Sequence, residues 1–428
     1  MSQPHIDPDA DPSRRAWLAC PNCDHGAGCA DCQSGRNCAT HWQYLLKNAA
    51  SRVFLQCPTC LCTWTVDTAE RNRRTRARPG VDGVVVAEVW LGTFPRDIVT
   101  SPSGELVYVM TVDSVKAVDR QHRVIATVPI GADEPKRMMM SSDGSRIYVT
   151  SYDGALSIID PVGMTSKIVA KPRSTAAVVS PDGNYVYLAH SHARRDGGSA
   201  WVSAIRADGV AVAFAAIDGF ITGMAVSPNG RRLYVASSPY GEEARGGTIA
   251  VLDTASYQAV DVIAVDEAPE SITVDADGIL YVTHFHINSV SVVDPGTRCA
   301  ISITLDDAPM EVVARPDTEF AYTANAHSVT VIDTTTSATN NVMAGKLPRR
   351  LCISPDGQRL YAADFADGSV WALDTSNNSV VATVTVCAHP AAVSLSADGE
   401  LLYVTDDRAG TLTVVATALL TPNARDGM

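Results

Sequence analysis

Short apolar segments alternate with polar turns along most of this chain. In each repeat a turn related to Ser-Pro-Asp-Gly is followed by a β-branched and aromatic run related to Tyr-Val-Thr. Such turns suit tight hairpins, and such runs favour strands. The eight copies are SPSGELVYVM (101–110), SSDGSRIYVT (141–150), SPDGNYVYLA (180–189), SPNGRRLYVA (227–236), DADGILYVT (275–283), RPDTEFAYTA (315–324), SPDGQRLYAA (354–363) and SADGELLYVT (396–405).

Each repeat holds four predicted strands. One run leads into the turn, the Tyr-Val-Thr run leaves it, and a third run such as VSVVD (290–294) precedes a fourth such as VVATVTV (380–386). The repeated tyrosines are spaced by 40, 39, 47, 47, 41, 39 and 42 residues. Four strands in about 40 residues is the size of a propeller blade, whereas the repeats of a parallel β-helix are shorter. The pattern therefore predicts an all-β propeller.

The number of blades follows from how the ring closes. The last copy ends at LTVVAT (412–417) without a fourth strand, and an unmatched run, VVVAEVWLG (84–92), precedes the first copy. Pairing these two runs closes the ring and removes its open sheet edges. We therefore expect eight blades over residues 83–417, with seven blades as the alternative.

The recurring SPDG…YVT…VID pattern resembles the YVTN-repeat propellers over about four-fifths of the chain. The resemblance implies kinship of fold with the lactonase-type propellers and with the haem d1 propeller of nitrite reductase. Members of this family are often binding or surface proteins without known catalysis. The resemblance therefore bears on fold more than on function.

Composition separates two regions. The net charge is −13, but residues 1–80 contain ten Lys or Arg and seven Asp or Glu, a balance of +3, which leaves −16 for residues 81–428. An acidic body is a poor surface for nucleic acid. The chain has no apolar run long enough to span a membrane and no signal-like start, so we expect a cytoplasmic monomer. We expect disordered tails at 1–15 and 418–428.

Residues 16–68 form a cysteine-rich module. Cys20-Pro-Asn-Cys23 and Cys57-Pro-Thr-Cys60 are paired knuckles whose spacing is typical of a zinc ribbon. Between them, Cys29, Cys32, Cys38 and His41 form a second complete set of four ligands, which predicts a second zinc ion.

Other arrangements of this module stay open. Some thiols are spare in one alternative, Cys62 or His25 replaces a ligand in another, and ligands of the two sets pair with each other in a third. An iron–sulfur cluster tolerates similar spacings. The sequence further predicts a short helix at 42–50 and strands at 53–56 and 63–66.

An arginine-rich linker, residues 69–82, joins the module to the propeller. Its core, AERNRRTRARPG, has five arginines in eight positions. It is either a solvated spacer or an arm that binds nucleic acid or an acidic partner beside a zinc ribbon.

Basic residues gather where the first strands of several blades begin. Because these strands line the central channel of a propeller, we expect an anion-attracting sector at the channel mouth, formed by blades 7, 8, 1 and 2. Blades 5 and 6 place Glu270 and Glu311 at related positions. The alternative is a solvated rim with local ion pairs. The basic residues are Arg96, Lys136, Arg137, Arg349 and Arg350.

Six of the seven propeller histidines map to the same face. Imidazoles near a channel mouth bind metals or act as acid and base, and His284, His286 and His327 come from adjacent blades. The alternative is that these are ordinary polar loop residues. Two insertions, 190–200 and 237–247, also emerge on this face and account for the two 47-residue spacings.

Three functions are consistent with these features. The first is a non-enzymatic scaffold that presents the channel mouth to a protein or a small anionic ligand, with the zinc module as a second contact. The second is a lactonase-like or metal-dependent enzyme at the mouth, although the chain has no Gly-x-Ser-x-Gly, phosphate-loop or dinucleotide motif. The third is nucleic-acid association through residues 16–80.

Overall fold

The chain divides into two compact units, Met1–Pro79 and Gly80–Met428. In the second unit the computed structural model describes residues 84–92, 94–131, 134–152, 154–170, 174–192, 199–240, 246–315, 320–342 and 345–420. In the first it describes four strands, β1 (Asp11–Ala16), β2 (Gln43–Ala49), β3 (Arg52–Gln56) and β4 (Thr63–Asp67). The predicted zinc ligands and the arginine-rich linker lie outside the described residues.

The first unit contains an antiparallel sheet in the order β1-β2-β3-β4. The strands predicted at 53–56 and 63–66 are confirmed as β3 and β4, and β1 occupies part of the segment predicted as a tail. The helix predicted at 42–50 is wrong, because this segment forms β2 and pairs with both β1 and β3. A helix of nine residues is marginal without tertiary support, whereas the sheet satisfies both edges of β2.

The second unit is an eight-bladed propeller of four-stranded antiparallel sheets. Two 3₁₀ turns, Phe285–Ile287 and Thr417–Leu419, complete its regular structure among the described residues. The strands are β5 (Val85–Trp90); β6 (Asp97–Thr100), β7 (Leu106–Met110), β8 (Ser114–Asp119) and β9 (Val124–Pro129) in blade 1; β10 (Pro135–Met140), β11 (Ile147–Ser151), β12 (Leu156–Asp160) and β13 (Thr165–Ala170) in blade 2; β14 (Ala176–Val179), β15 (Tyr185–His192), β16 (Ser199–Arg206) and β17 (Ala211–Ile217) in blade 3; β18 (Phe220–Val226), β19 (Arg232–Ser238), β20 (Gly247–Asp253) and β21 (Ala259–Val265) in blade 4; β22 (Ser271–Val274), β23 (Leu280–His284), β24 (Ser289–Asp294) and β25 (Cys299–Thr304) in blade 5; β26 (Pro309–Ala314), β27 (Phe320–Asn325), β28 (Val329–Asp333) and β29 (Thr339–Val342) in blade 6; β30 (Pro348–Ile353), β31 (Arg359–Asp364), β32 (Ser369–Asp374) and β33 (Ser379–Thr385) in blade 7; and β34 (Pro390–Leu395), β35 (Leu401–Asp406) and β36 (Thr411–Ala416) in blade 8.

The repeated turn forms the hairpin between the first two strands of a blade. In blade 2, the Ser141 hydroxyl donates to Asp143 Oδ1 at 2.6 Å and accepts the Arg146 N–H at 2.9 Å. Gly144 takes a φ of 72°, which explains the glycine of the motif. The turn thus fixes the register of the Tyr-Val-Thr strand by its own side-chain bonds.

The core lies between blades, where the second strands are buried along most of their length. Tyr148, Tyr281, Tyr322 and Tyr403 are among the largest fully buried side chains. The Tyr148 hydroxyl donates to the Gly183 carbonyl at 3.1 Å, in the turn of the next blade. Tyr148 therefore packs its own blade and links it to the next one.

The ring closes as the sequence predicts. Strand β5 pairs antiparallel with β36 and supplies the fourth strand of blade 8. The Leu91 N–H donates to the Gly410 carbonyl at 2.8 Å, and a side chain on Gly410 would overlap the Gly92 carbonyl oxygen. Leu420, within the segment predicted as a tail, is buried against this closing blade.

No helix in the described part of the chain is long and apolar enough to cross a membrane.

Closure gives a stability prediction with a matched control. Val89 and Val86 lie in the same strand, but Val89 is 7% exposed and Val86 is 47% exposed. Val89→Ala should lower the free energy of unfolding by about 2 kcal/mol, because two buried methyl groups are lost. Val86→Ala should change it by less than about 0.5 kcal/mol. Denaturant titration measures both, and equal effects would contradict the closing role of this strand.

Candidate functional site

The strand order places two kinds of loop on one face of the propeller. Because the strands of each blade are consecutive and antiparallel, the connections between blades and the loops from second to third strand share this face. The Ser-Pro-Asp-Gly turns lie on the opposite face. We call the first face the mouth face, and the set Arg96, Lys136, Arg137, Arg349 and Arg350 the basic arc.

Two members of the basic arc contact neighbouring blades. The Lys136 ammonium donates to the Thr175 carbonyl of blade 3 at 2.5 Å and lies 5.5 Å from the centre of the Tyr152 ring. Burial, and then the charge of Arg137, hold the pKa of Lys136 below its usual value. Arg350 pairs with Glu311 of blade 6 at 3.3 Å. Lys136 and Arg350 therefore each form a polar contact that joins two blades, which leaves them less available to a ligand.

Two carboxylates hold the inner strands together at the mouth. Asp97 Oδ2 accepts the Met138 N–H of the next blade at 2.8 Å, and Glu311 Oε2 accepts the Leu351 N–H at 2.9 Å. Burial raises the pKa of Asp97, while the bond from Met138 and the charge of Arg137 act in the opposite direction. Each acid satisfies a backbone donor that the channel edge would leave unpaired.

Arg96, Arg137 and Arg349 form the accessible part of the basic arc. All three are exposed, and no carboxylate of the described residues pairs with them. One Arg96 nitrogen lies 3.4 Å from the Pro135 carbonyl, and the Arg349 guanidinium lies 4.9 Å from the centre of the Phe365 ring. Arginines held in this way keep their outward N–H groups available for an anion.

Blade 8 leaves room between these arginines. Its first strand places Ala391 and Ala392 at the positions that Arg349 and Arg350 occupy in blade 7, by the same register against the second strand. The side chains on this blade are therefore short where the neighbouring blades carry long cations. The basic sector therefore has short side chains at its centre, in blade 8, and long cationic side chains in the blades on either side.

Of the three predicted histidines, His284 is buried and hydrogen-bonded, whereas His286 and His327 are exposed. His284 is fully buried; its Nδ1–H donates to the Glu267 carbonyl at 3.0 Å, and Nε2 lies 2.8 Å from Ser291 Oγ. His286 and His327 are exposed, and His327 lies 3.5 Å from an Asp307 oxygen. Among the described residues, no group of three or more His, Cys, Asp or Glu side chains is arranged to hold a metal.

A repeated position explains the buried histidines. The third residue after each repeated tyrosine is polar and almost fully buried, and it lies within two residues of the end of the second strand, beneath the mouth face. In blade 7, Asp364 accepts the N–H groups of Leu347 at 3.0 Å and Ala366 at 2.8 Å, so it ties together two loops of that face. The sequence carries this signal in every repeat, since each repeated tyrosine is followed three residues later by a polar residue. The set is Thr111, Ser151, His190, Ser237, His284, Asn325, Asp364 and Asp406.

Comparisons with known proteins support the fold. The seven-bladed beta-propeller protein Rv1057 of Mycobacterium tuberculosis is 26% identical over 243 residues, 46% of this chain and 60% of that protein. The chain therefore spans about 60% of the length of this curated relative. The Kuenenia stuttgartiensis hydrazine synthase structure matches with a TM-score of 0.53 at 19% identity, over 79% of this chain and 99% of that one. No protein-family model matches the chain.

The role of His284 predicts a pH dependence. Burial lowers the pKa of His284 below its usual value, so the folded state binds fewer protons than the unfolded state. Stability should therefore fall as the pH drops below about 6.5. His284→Gln should cost about 1–3 kcal/mol at pH 7.5 through its lost bonds, and should make the loss between pH 7.5 and 5.5 less steep. His286→Gln is the control, and identical pH profiles for wild type and His284→Gln would contradict the assignment.

Proposed function

We propose that this chain is a non-enzymatic propeller scaffold whose mouth face binds a small anionic ligand or an anionic group of a protein partner. The observation that carries the proposal is the set of exposed arginines, Arg96, Arg137 and Arg349, which have no carboxylate partner among the described residues. The propeller as a whole is acidic, so this sector is a local exception to its charge. Guanidinium groups match carboxylate and phosphate oxygens in geometry.

The position of these arginines strengthens the case. They stand at the entrance of a channel whose walls are protein, and such walls focus the field of nearby charges. Phe365 holds the Arg349 guanidinium from one side, which reduces the freedom that binding must remove. No specific observation favours the alternative of a metal-dependent enzyme, because His284 is occupied by structural bonds.

We also propose that the chain is a divergent YVTN-repeat propeller. The support is the repeated tyrosine followed, three residues later, by a buried polar residue in every blade. In blade 6 this sequence is Tyr-Thr-Ala-Asn, ending at Asn325.

Anion binding is tested with inorganic phosphate by calorimetry. Arg349→Gln should weaken phosphate binding about tenfold, the effect of one lost charge-assisted contact. The triple variant Arg96→Gln, Arg137→Gln, Arg349→Gln should abolish it, and added salt should weaken the wild type. Arg231→Gln, on the opposite face, is the matched control. Binding by the triple variant at wild-type strength would contradict the proposal.

The cysteine-rich module is proposed to bind two zinc ions in the cytoplasm, where thiols stay reduced. The described sheet supports this for the first set. Ala16 pairs with Gln43, Tyr44 with Gln56, and Gln56 with Thr63. The segments 17–42 and 57–62 therefore leave the sheet at the same end, from strands about 4.8 Å apart. Each segment carries one Cys-Pro-x-Cys knuckle.

Metal analysis of the purified protein tests this module. We expect two zinc ions per chain, and Cys20→Ser or Cys57→Ser should each remove one, since a site with three thiolates binds zinc less tightly. His41→Ala should remove the other. Cys299→Ser, at an exposed thiol of the propeller, is the control. Iron in place of zinc, or less than one ion per wild-type chain, would contradict the proposal.

Association with nucleic acid through residues 16–80 stays a prediction, because the linker arginines lie outside the described residues.

A further inference from the structure

The eight blades form a closed circle, so every blade faces another across the channel. Each first strand contacts the first strand of the next blade, from β6 through β34 and back to β6. With eight blades, blade 1 stands opposite blade 5. Residues at equivalent positions of these two blades therefore face each other at the channel mouth.

Arg96 and Glu270 occupy equivalent positions in blades 1 and 5. Each directly precedes the first strand of its blade. The Arg96 N–H donates to the Met110 carbonyl, and the Glu270 N–H donates to the Thr283 carbonyl, both at 2.8 Å. Met110 and Thr283 are the second residues after the repeated tyrosines of the two blades. An arginine and a glutamate thus stand diametrically opposite.

These two charges do not neutralise each other. Both side chains are exposed, and no described side chain forms an ion pair with either. The Arg96 guanidinium donates to the Pro135 carbonyl at 3.4 Å, which leaves its charge without a counter-ion among the described residues. The attraction between Arg96 and Glu270 across the mouth is weak in water. Both charges therefore remain available to a ligand.

Each charge has neighbours of its own sign. Arg137 lies in the adjacent blade 2, and Arg349 lies in blade 7, separated from Arg96 by blade 8. Two exposed acids, Glu267 and Asp306, lie in the loops that enter blades 5 and 6 beside Glu270. At the starts of the first strands, the exposed cations therefore lie on one side of the mouth and Glu270 lies on the other, while Asp113, Glu134 and Asp367 place exposed acids in the mouth-face loops of blades 1, 2 and 7.

We propose that the mouth binds a zwitterion, a small molecule with a carboxylate and an ammonium group separated by several bonds. The carboxylate lies at Arg96 and the ammonium group at Glu270. This inference rests on the proposed anion site and names its ligand class. A plain anion meets only the basic side, and the acids opposite lower its affinity, whereas a zwitterion satisfies both sides.

Ligand-observed NMR with 6-aminohexanoate and hexanoate tests this class, since the two probes differ only in the ammonium group. Wild type should bind 6-aminohexanoate roughly fivefold more tightly, the effect of one solvent-exposed ion pair. Glu270→Gln should remove this preference without weakening hexanoate. Arg96→Gln should weaken both probes. Glu105→Gln, an exposed acid on the opposite face, should behave as wild type.

The outcomes separate the two proposals. Equal binding of the two probes, unchanged by Glu270→Gln, would overturn the zwitterion and leave the anion site standing. Binding of neither probe, at concentrations where phosphate binds, would also overturn the zwitterion. Absence of binding for phosphate and both probes would overturn the anion site itself. A series from glycine to 6-aminohexanoate should show tighter binding as the separation of the charges approaches the width of the mouth.

Discussion

The pairing of β5 with β36 is the interaction on which the propeller depends. Blade 8 is complete only when the beginning and the end of the unit meet. The same closure creates the candidate site, since it brings Arg96, at the start of the ring, into one sector with Arg349 and Arg350, near its end. An open ring would separate these charges by most of the circumference.

A second constraint repeats in every blade and separates structural residues from available ones. A buried polar residue near the end of each second strand recurs beneath the mouth face, and in blade 7 Asp364 ties down two loops there by accepting four backbone N–H groups. His284 fills this role in blade 5. The residues that start the first strands do not share such a role, and at these positions the blades differ in charge.

The repeat made the fold predictable. Turn chemistry, strand composition and an unmatched first strand indicate eight blades and the manner of closure. They do so because the same turn and strand residues recur in every copy, so the local preferences agree with one another. The helix predicted at 42–50 failed because no repeat constrained it and pairing on both sides decided its state. Within the candidate site, the sequence indicated the basic arc as a group but did not separate its members. Lys136 and Arg137 are neighbours in the sequence, but Lys136 is engaged by Thr175 and Tyr152, whereas Arg137 is exposed. Only the structure distinguishes the two.

The central claim is that the mouth face attracts anions through Arg96, Arg137 and Arg349. Anomalous diffraction from crystals soaked in sodium bromide tests it most directly, because bromide reports anion sites without assuming a ligand. The account predicts a bromide peak within contact of at least two of these arginines at the channel entrance. Bromide ordered only elsewhere on the propeller, with none at the mouth, would contradict it.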